Sequence, residues 1–158
     1  MRIRVDHRTV YRYRPAAKSV LQVLRLTPRS HEGQNVVRWR VSAEADVEVQ
    51  LRRGEDALGN ITQTAFVQGP VSELTLSVEG EAVQQEAAHA WAEAYVGDLG
   101  WVGFDCANGL SPTPEHVRVA VGLDYLGAAP VRGSRAGGGA EIMDVKLTVS
   151  HAALQSQA

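Results

Sequence analysis

The first 83 residues alternate in polarity with a period of two, and this constrains the fold more than any other feature. In "MRIRVDHRTVYRYR", Ile3, Val5, His7, Thr9, Tyr11 and Tyr13 share one parity. Arg2, Arg4, Arg8, Arg12 and Arg14 share the other. Successive side chains of a strand point to opposite faces, so this pattern builds a half-buried strand, with room for a turn near residues 6–8. "SVLQVLRLTPRS" is a second strand ended by Pro28, and "NVVRWRVSAEADVEVQLRRGED" supplies two more around a turn at residues 43–45. "DALGN" is a turn, because Gly and Asn tolerate a positive φ. "ITQTAFVQGP" and "VSELTLSVEGEAV" alternate again. Residues 1–83 are therefore expected to form six or seven antiparallel strands of a β-sandwich.

The texture changes at residues 84–86. Two further strands are expected at 88–96 and 101–106, a short one at 117–121, and a closing one in "EIMDVKLTVSHA". Pro112, Pro114 and Pro130 disfavour helices between them. The triple glycine at residues 137–139 is a flexible bend, and "ALQSQA" is a frayed tail. The expected chain is all-β and mainly antiparallel, with little helix. It divides into residues 1–83 and 84–158.

With 158 residues, 44% of them apolar and 22% charged, the composition is that of a globular domain. No apolar run approaches the roughly 20 residues of a membrane span. The N-terminus lacks a signal core, so a cytoplasmic protein is expected. The single cysteine, Cys106, excludes an intrachain disulfide and a cysteine-rich zinc site. His7, His31, His89, His116 and His151 have no ligand spacing, so neither metal nor cofactor is expected. Net charge is −2 but polarised: residues 1–40 hold ten Lys and Arg against Asp6 and Glu32, and the remainder holds six against sixteen acids. A basic strand face can bind nucleic-acid phosphates. Without a recognition helix or an aromatic RNA-binding motif, a solvated face balanced by the acidic half is favoured.

"HAWAEAYVGDLGWVGFDCANG" carries the candidate chemistry. If its two strands form a hairpin, one face holds His89, Trp91, Glu93, Tyr95, Trp101, Gly103 and Asp105. The other holds Ala90, Ala92, Ala94, Val96, Val102, Phe104 and Cys106, and its small apolar side chains mark it as the packed face. A five-residue loop at 95–99 sets His89 opposite Asp105. A tight turn at Asp98 and Leu99 sends them to opposite faces. Both registers remain open. In the first, Asp105 fixes the tautomer of His89 and leaves the other ring nitrogen as a base. Taken without further context, such a pair on neighbouring strands is more often a structural hydrogen bond. Ser77 and Ser111 offer hydroxyls, but nothing in the sequence brings either to His89.

This stretch resembles the His and Asp strands of the bacterial transglutaminase-like family, whose pattern has the form S-H-A-W-V-E-V…G-W…F-D-P-T-N-G. His89, Ala90, Trp91, Glu93, Gly100, Trp101, Phe104, Asp105, Asn108 and Gly109 stand at matching positions. "LRLTPR", "WRV" and "DALGN" resemble the β-sandwich preceding that family's catalytic core. The resemblance implies His89 as base, Asp105 as its orienting partner, and Trp91, Tyr95 and Trp101 lining a substrate groove. It also implies a long helical section between sandwich and His strand, bearing the catalytic cysteine at a helix N-terminus. Here His89 follows Val83 within six residues, so that section is missing. Cys106 stands where the family often has proline, and a regular strand would bury it beside Val102 and Phe104. The expectation is a transglutaminase-like protein without its nucleophile, inactive alone and used for binding. Its partner would be a second copy or a protein covering the surface left by the helices. The alternatives are a cysteine enzyme using Cys106 or a cysteine from a partner chain, and a basic nucleic-acid-binding module.

Overall fold

The computed structural model describes residues 2–31, 34–83, 90–112 and 117–151. It is almost wholly antiparallel β-structure, as the alternation requires. The first half contains fewer and longer strands than expected: β1 (Arg2–Thr27), β2 (Asn35–Ala45), β3 (Val49–Glu55) and β4 (Ile61–Val83). No turn interrupts β1 at residues 6–8, where it is paired on both sides. Beyond them come β5 (Ala92–Val96), β6 (Gly100–Phe104), one short helix α1 (Tyr125–Ala128), β7 (Val131–Gly137) and β8 (Ala140–His151).

Pairing explains the long strands. β2 and β3 both lie along β4, and β7 and β8 both lie along β1. Four long antiparallel ribbons result among the described residues, in the order β2/β3, β4, β1, β7/β8. Each changes direction at about the same level. The breaks fall at residues 46–48, at Gly69 and Pro70 in β4, near Pro15 in β1, and at residues 137–139. The expected hairpin near residues 43–45 is therefore a crease, and the chain continues along the same neighbour. A crease and a turn call for the same residues, so the sequence confuses them. Gly137 and Gly138 adopt φ of 68° and 75°, which lets β7 run on into β8 around the bend. Asp46 braces the crease by accepting the Ser72 N–H at 2.9 Å.

Folding across this crease closes the sandwich. One continuous core joins Tyr11, Leu74, Leu76 and Val78 from one half to Val20, Leu24, Ala65 and Val67 from the other. Each fully buried aliphatic side chain contributes about 2 kcal/mol. The arginine face of β1 is balanced from neighbouring strands. Arg2 and Arg4 pair with buried Glu81, as does Arg38, and Arg12 pairs with Glu73 and Asp144. The Arg4 hydrogen bond, opposed by burial and reinforced by Arg2 and Arg38, holds the Glu81 carboxyl at about 2.

The expected strand at residues 117–121 does not form. The segment is instead clipped to the sandwich by two side-chain amides. Gln34 accepts the Arg118 N–H and donates to the Arg118 carbonyl. Asn60 accepts the Val121 N–H at 2.8 Å and donates to its carbonyl at 2.7 Å. Asp56 in turn grips Asn60 and Arg25. Burial alone would raise the Asp56 carboxyl, but these bonds and two backbone N–H groups hold it at about 2. The tail beyond residue 151 lies outside the described residues.

Candidate functional site

β5 and β6 form a two-stranded hairpin, shorter than expected, closed by a three-residue 3-10 turn (Gly97–Leu99). Its register runs from Val96 opposite Gly100 to Ala92 opposite Phe104. The turn is thus centred on Asp98, a partner shift of two residues from the register centred on Gly97 and of one from the tight turn at Asp98 and Leu99. Odd-numbered residues of both strands share a face, and continuing the register by one pair sets Trp91 opposite Asp105. His89 lies outside the described residues.

The faces are as expected, but their packing is not. Ala92, Ala94, Val96 and Phe104 are exposed and Val102 is half-buried, whereas on the polar, aromatic face Trp91, Glu93, Gly103 and Asp105 turn toward the rest of the chain and Tyr95 and Trp101 stay exposed. There Glu93 accepts the Trp91 indole N–H at 2.9 Å and pairs with Arg118 at 3.2 Å. Gly103 lies against the Pro112 ring, where a Cβ would come within 2.7 Å of it. Burial follows available partners: Glu93 meets the Trp91 indole and Arg118, and Asp105 meets the N–H groups of its own turn, whereas Val96 and Phe104 stay exposed.

Asp105 is 1% exposed, the most buried carboxylate of the described residues. It ends β6 and builds the turn that follows. Its Oδ1 accepts the N–H groups of Ala107 and Asn108, both at 3.1 Å, and its Oδ2 accepts the Asn108 side-chain amide at 2.7 Å. Gly109 closes the turn with φ of 66°. The "NG" at 108–109 carries the signal for this turn, and the strand expected over residues 101–106 ends two residues early, at Phe104.

Cys106 therefore does not continue a strand. It sits on the turn and is exposed, correcting its expected burial beside Val102 and Phe104, and its thiol approaches the Phe104 carbonyl at 3.9 Å. The Asp105 carboxylate points into the protein and the Cys106 thiol toward solvent.

Trp91 and Trp101 border an open depression of about 390 Å³, together with Glu93, Arg118, Ser111 and His31. Tyr95 stands outside it, edge-on to Trp101 with ring centroids 5.9 Å apart. Ser77 is on β4 between Arg8 and Ser42, away from the hairpin. Sequence reasoning missed Arg118 and Gln34, because their roles depend on contacts across 25 and 84 residues. The depression offers one cation, one carboxylate and two indoles, a set suited to binding a polar chain along an aromatic wall. Among the described residues no helix is long and apolar enough to cross a membrane.

Residues 3–83 match the family described as the bacterial transglutaminase-like N-terminal region. An uncharacterised protein of Mycobacterium leprae, ML0607, is 33% identical over 88 residues, which are 56% of this chain and 30% of that protein. This chain thus spans less than a third of that relative. The crystal structure of a Cytophaga hutchinsonii protein assigned as a cysteine protease superposes with a TM-score of 0.69 at 9% identity, over 98% of this chain and 92% of the other. That likeness concerns the fold. With its creased sandwich and a family match spanning residues 3–83, this chain belongs to the bacterial transglutaminase-like N-terminal region family.

Proposed function

We propose that this chain is a transglutaminase-like fold without its nucleophile, catalytically silent by itself and used as a binding module. The observation that carries this is the placement of the only thiol. A cysteine nucleophile and its orienting carboxylate must approach the imidazole from its two sides. The Asp105 carboxylate is buried and engaged by its own turn, and Cys106 faces solvent from the next position. The family resemblance assigns the nucleophile to a helix for which residues 84–89 leave no room. A binding role fits the exposed large side chains of the hairpin, Val96 and Phe104 on one face, Tyr95 and Trp101 on the other, and Leu99 at its turn. Five of the β1 and β2 arginines are engaged by acids, which weighs against a phosphate-binding face.

The test is turnover of a glutaminyl peptide, followed as ammonia release with and without a primary amine. The expected result is no activity above that of His89→Ala. Turnover lost in His89→Ala would overturn the proposal.

The exposure of Cys106 favours one second reading, a thiol enzyme that uses this residue. It requires turnover that vanishes in Cys106→Ser as well as in His89→Ala.

A further inference from the structure

The β8 strand ends the sheet. It pairs with β1 from Ile3 opposite His151 to Arg14 opposite Ala140, and its other edge meets no strand among the described residues. Its register sets Met143, Val145 and Leu147 opposite Tyr11, Thr9 and His7, on the core side of the sheet. Tyr11 and Thr9 are 7% and 5% exposed, whereas Met143 and Val145 are 57% and 56% exposed. The apolar core therefore continues past its cover onto the edge strand. On the other face Lys146 lies directly opposite Arg8, a like-charge pair, and Lys146 has no ion-pair partner among the described residues. Like charges directly opposite destabilise a sheet.

We propose that β8 docks against β8 of a second copy of this chain, antiparallel, about a twofold axis through Val145. This inference is independent of whether the chain is catalytic. A strand can pair with itself symmetrically only if its sequence is complementary about some centre. About Val145, Met143 falls opposite Leu147 of the second copy, and Val145 opposite its own equivalent. Asp144 of each copy falls opposite Lys146 of the other. An edge lysine ordinarily guards a strand against pairing. Here self-pairing brings it an acid, Asp144, which within its own copy is also paired with Arg12. The product joins β2, β4, β1 and β8 of both copies into one continuous sheet, and the two apolar rows lie side by side on one face as cross-strand neighbours.

The experiment is sedimentation equilibrium of the full chain across a dilution series, with Asp144→Lys, Lys146→Asp and the double variant. All four are first matched by circular dichroism and thermal melting. The wild type is expected to dimerise. Each single variant, which sets like charges opposite at both symmetric sites, is expected to weaken the dimer by about tenfold or more. The double variant exchanges the charges and is expected to restore it. A chain that is monomeric at every concentration overturns the proposal. So does a dimer that the single variants leave unchanged, or one that the double variant fails to restore.

Discussion

Gln34 closes both hydrogen bonds with the backbone of Arg118, accepting its N–H at 2.9 Å and donating to its carbonyl at 3.1 Å across 84 residues of sequence. This clip mimics one rung of a sheet where no strand exists. It fixes the segment that presents Arg118 to Glu93, and so couples the sandwich to the hairpin. Gln34 is 3% exposed, so removing its amide strands buried polar groups. Gln34→Ala is expected to destabilise the fold by about 2 kcal/mol. Urea unfolding checks the cost, and faster hydrogen exchange at the Arg118 amide checks the cause.

Glu81 gives the stability a definite acid dependence. Its folded-state carboxyl, held at about 2 by Arg4, Arg2 and Arg38 against burial, lies below its ordinary value of 4.5. A depressed carboxyl contributes stability that is fully present above the unfolded value and lost as pH falls through the folded one. Glu81→Gln should unfold more easily than wild type at neutral pH, and the gap should narrow between pH 4.5 and about 2. Denaturant midpoints across that range measure it, and a constant gap would contradict the assignment.

Gly80 makes room for Trp39. A Cβ at this position would stand 2.1 Å from the indole ring, and that ring is anchored by its N–H to the Leu26 carbonyl at 2.7 Å. Gly80→Ala must displace the ring or shift β4. The expected loss is about 2 kcal/mol. A shift in tryptophan emission should accompany it, and an unchanged melting temperature would refute the packing.

Cys106 should react with iodoacetamide in the folded protein without denaturant, because its turn leaves it exposed. If it is not paired with His89, the rate in His89→Ala stays within about twofold of wild type across neutral pH. A marked slowing in that variant would support a thiol–imidazole pair and the second reading of the site.

The Asp105 turn tests how the hairpin ends. Asp105→Ala removes the acceptor for three donors from a buried position and should cost about 2 kcal/mol. Asp105→Asn keeps one oxygen acceptor and should cost less. Equal losses in the two variants, measured by urea unfolding, would show that the turn does not depend on these bonds.

The strand character of β1 and β4, the arginine face and the resemblance of the His/Asp stretch are legible in the residues alone. Each of these rests on local alternation or on residue identity, and neighbouring residues alone decide them. That residues 46–48 and 137–139 are creases in continuing ribbons emerges only from long-range pairing. The choice depends on β4 and β1, the distant partners that the chain keeps following. The same holds for the hairpin. Alternation sorted its side chains onto two faces correctly, yet Val96 and Phe104 of the apolar face are exposed while Glu93 and Asp105 of the polar face are turned inward. Gln34, Pro112 and Arg118 come from elsewhere in the chain to meet it, and side chains pack where partners are, whatever their own polarity suggests.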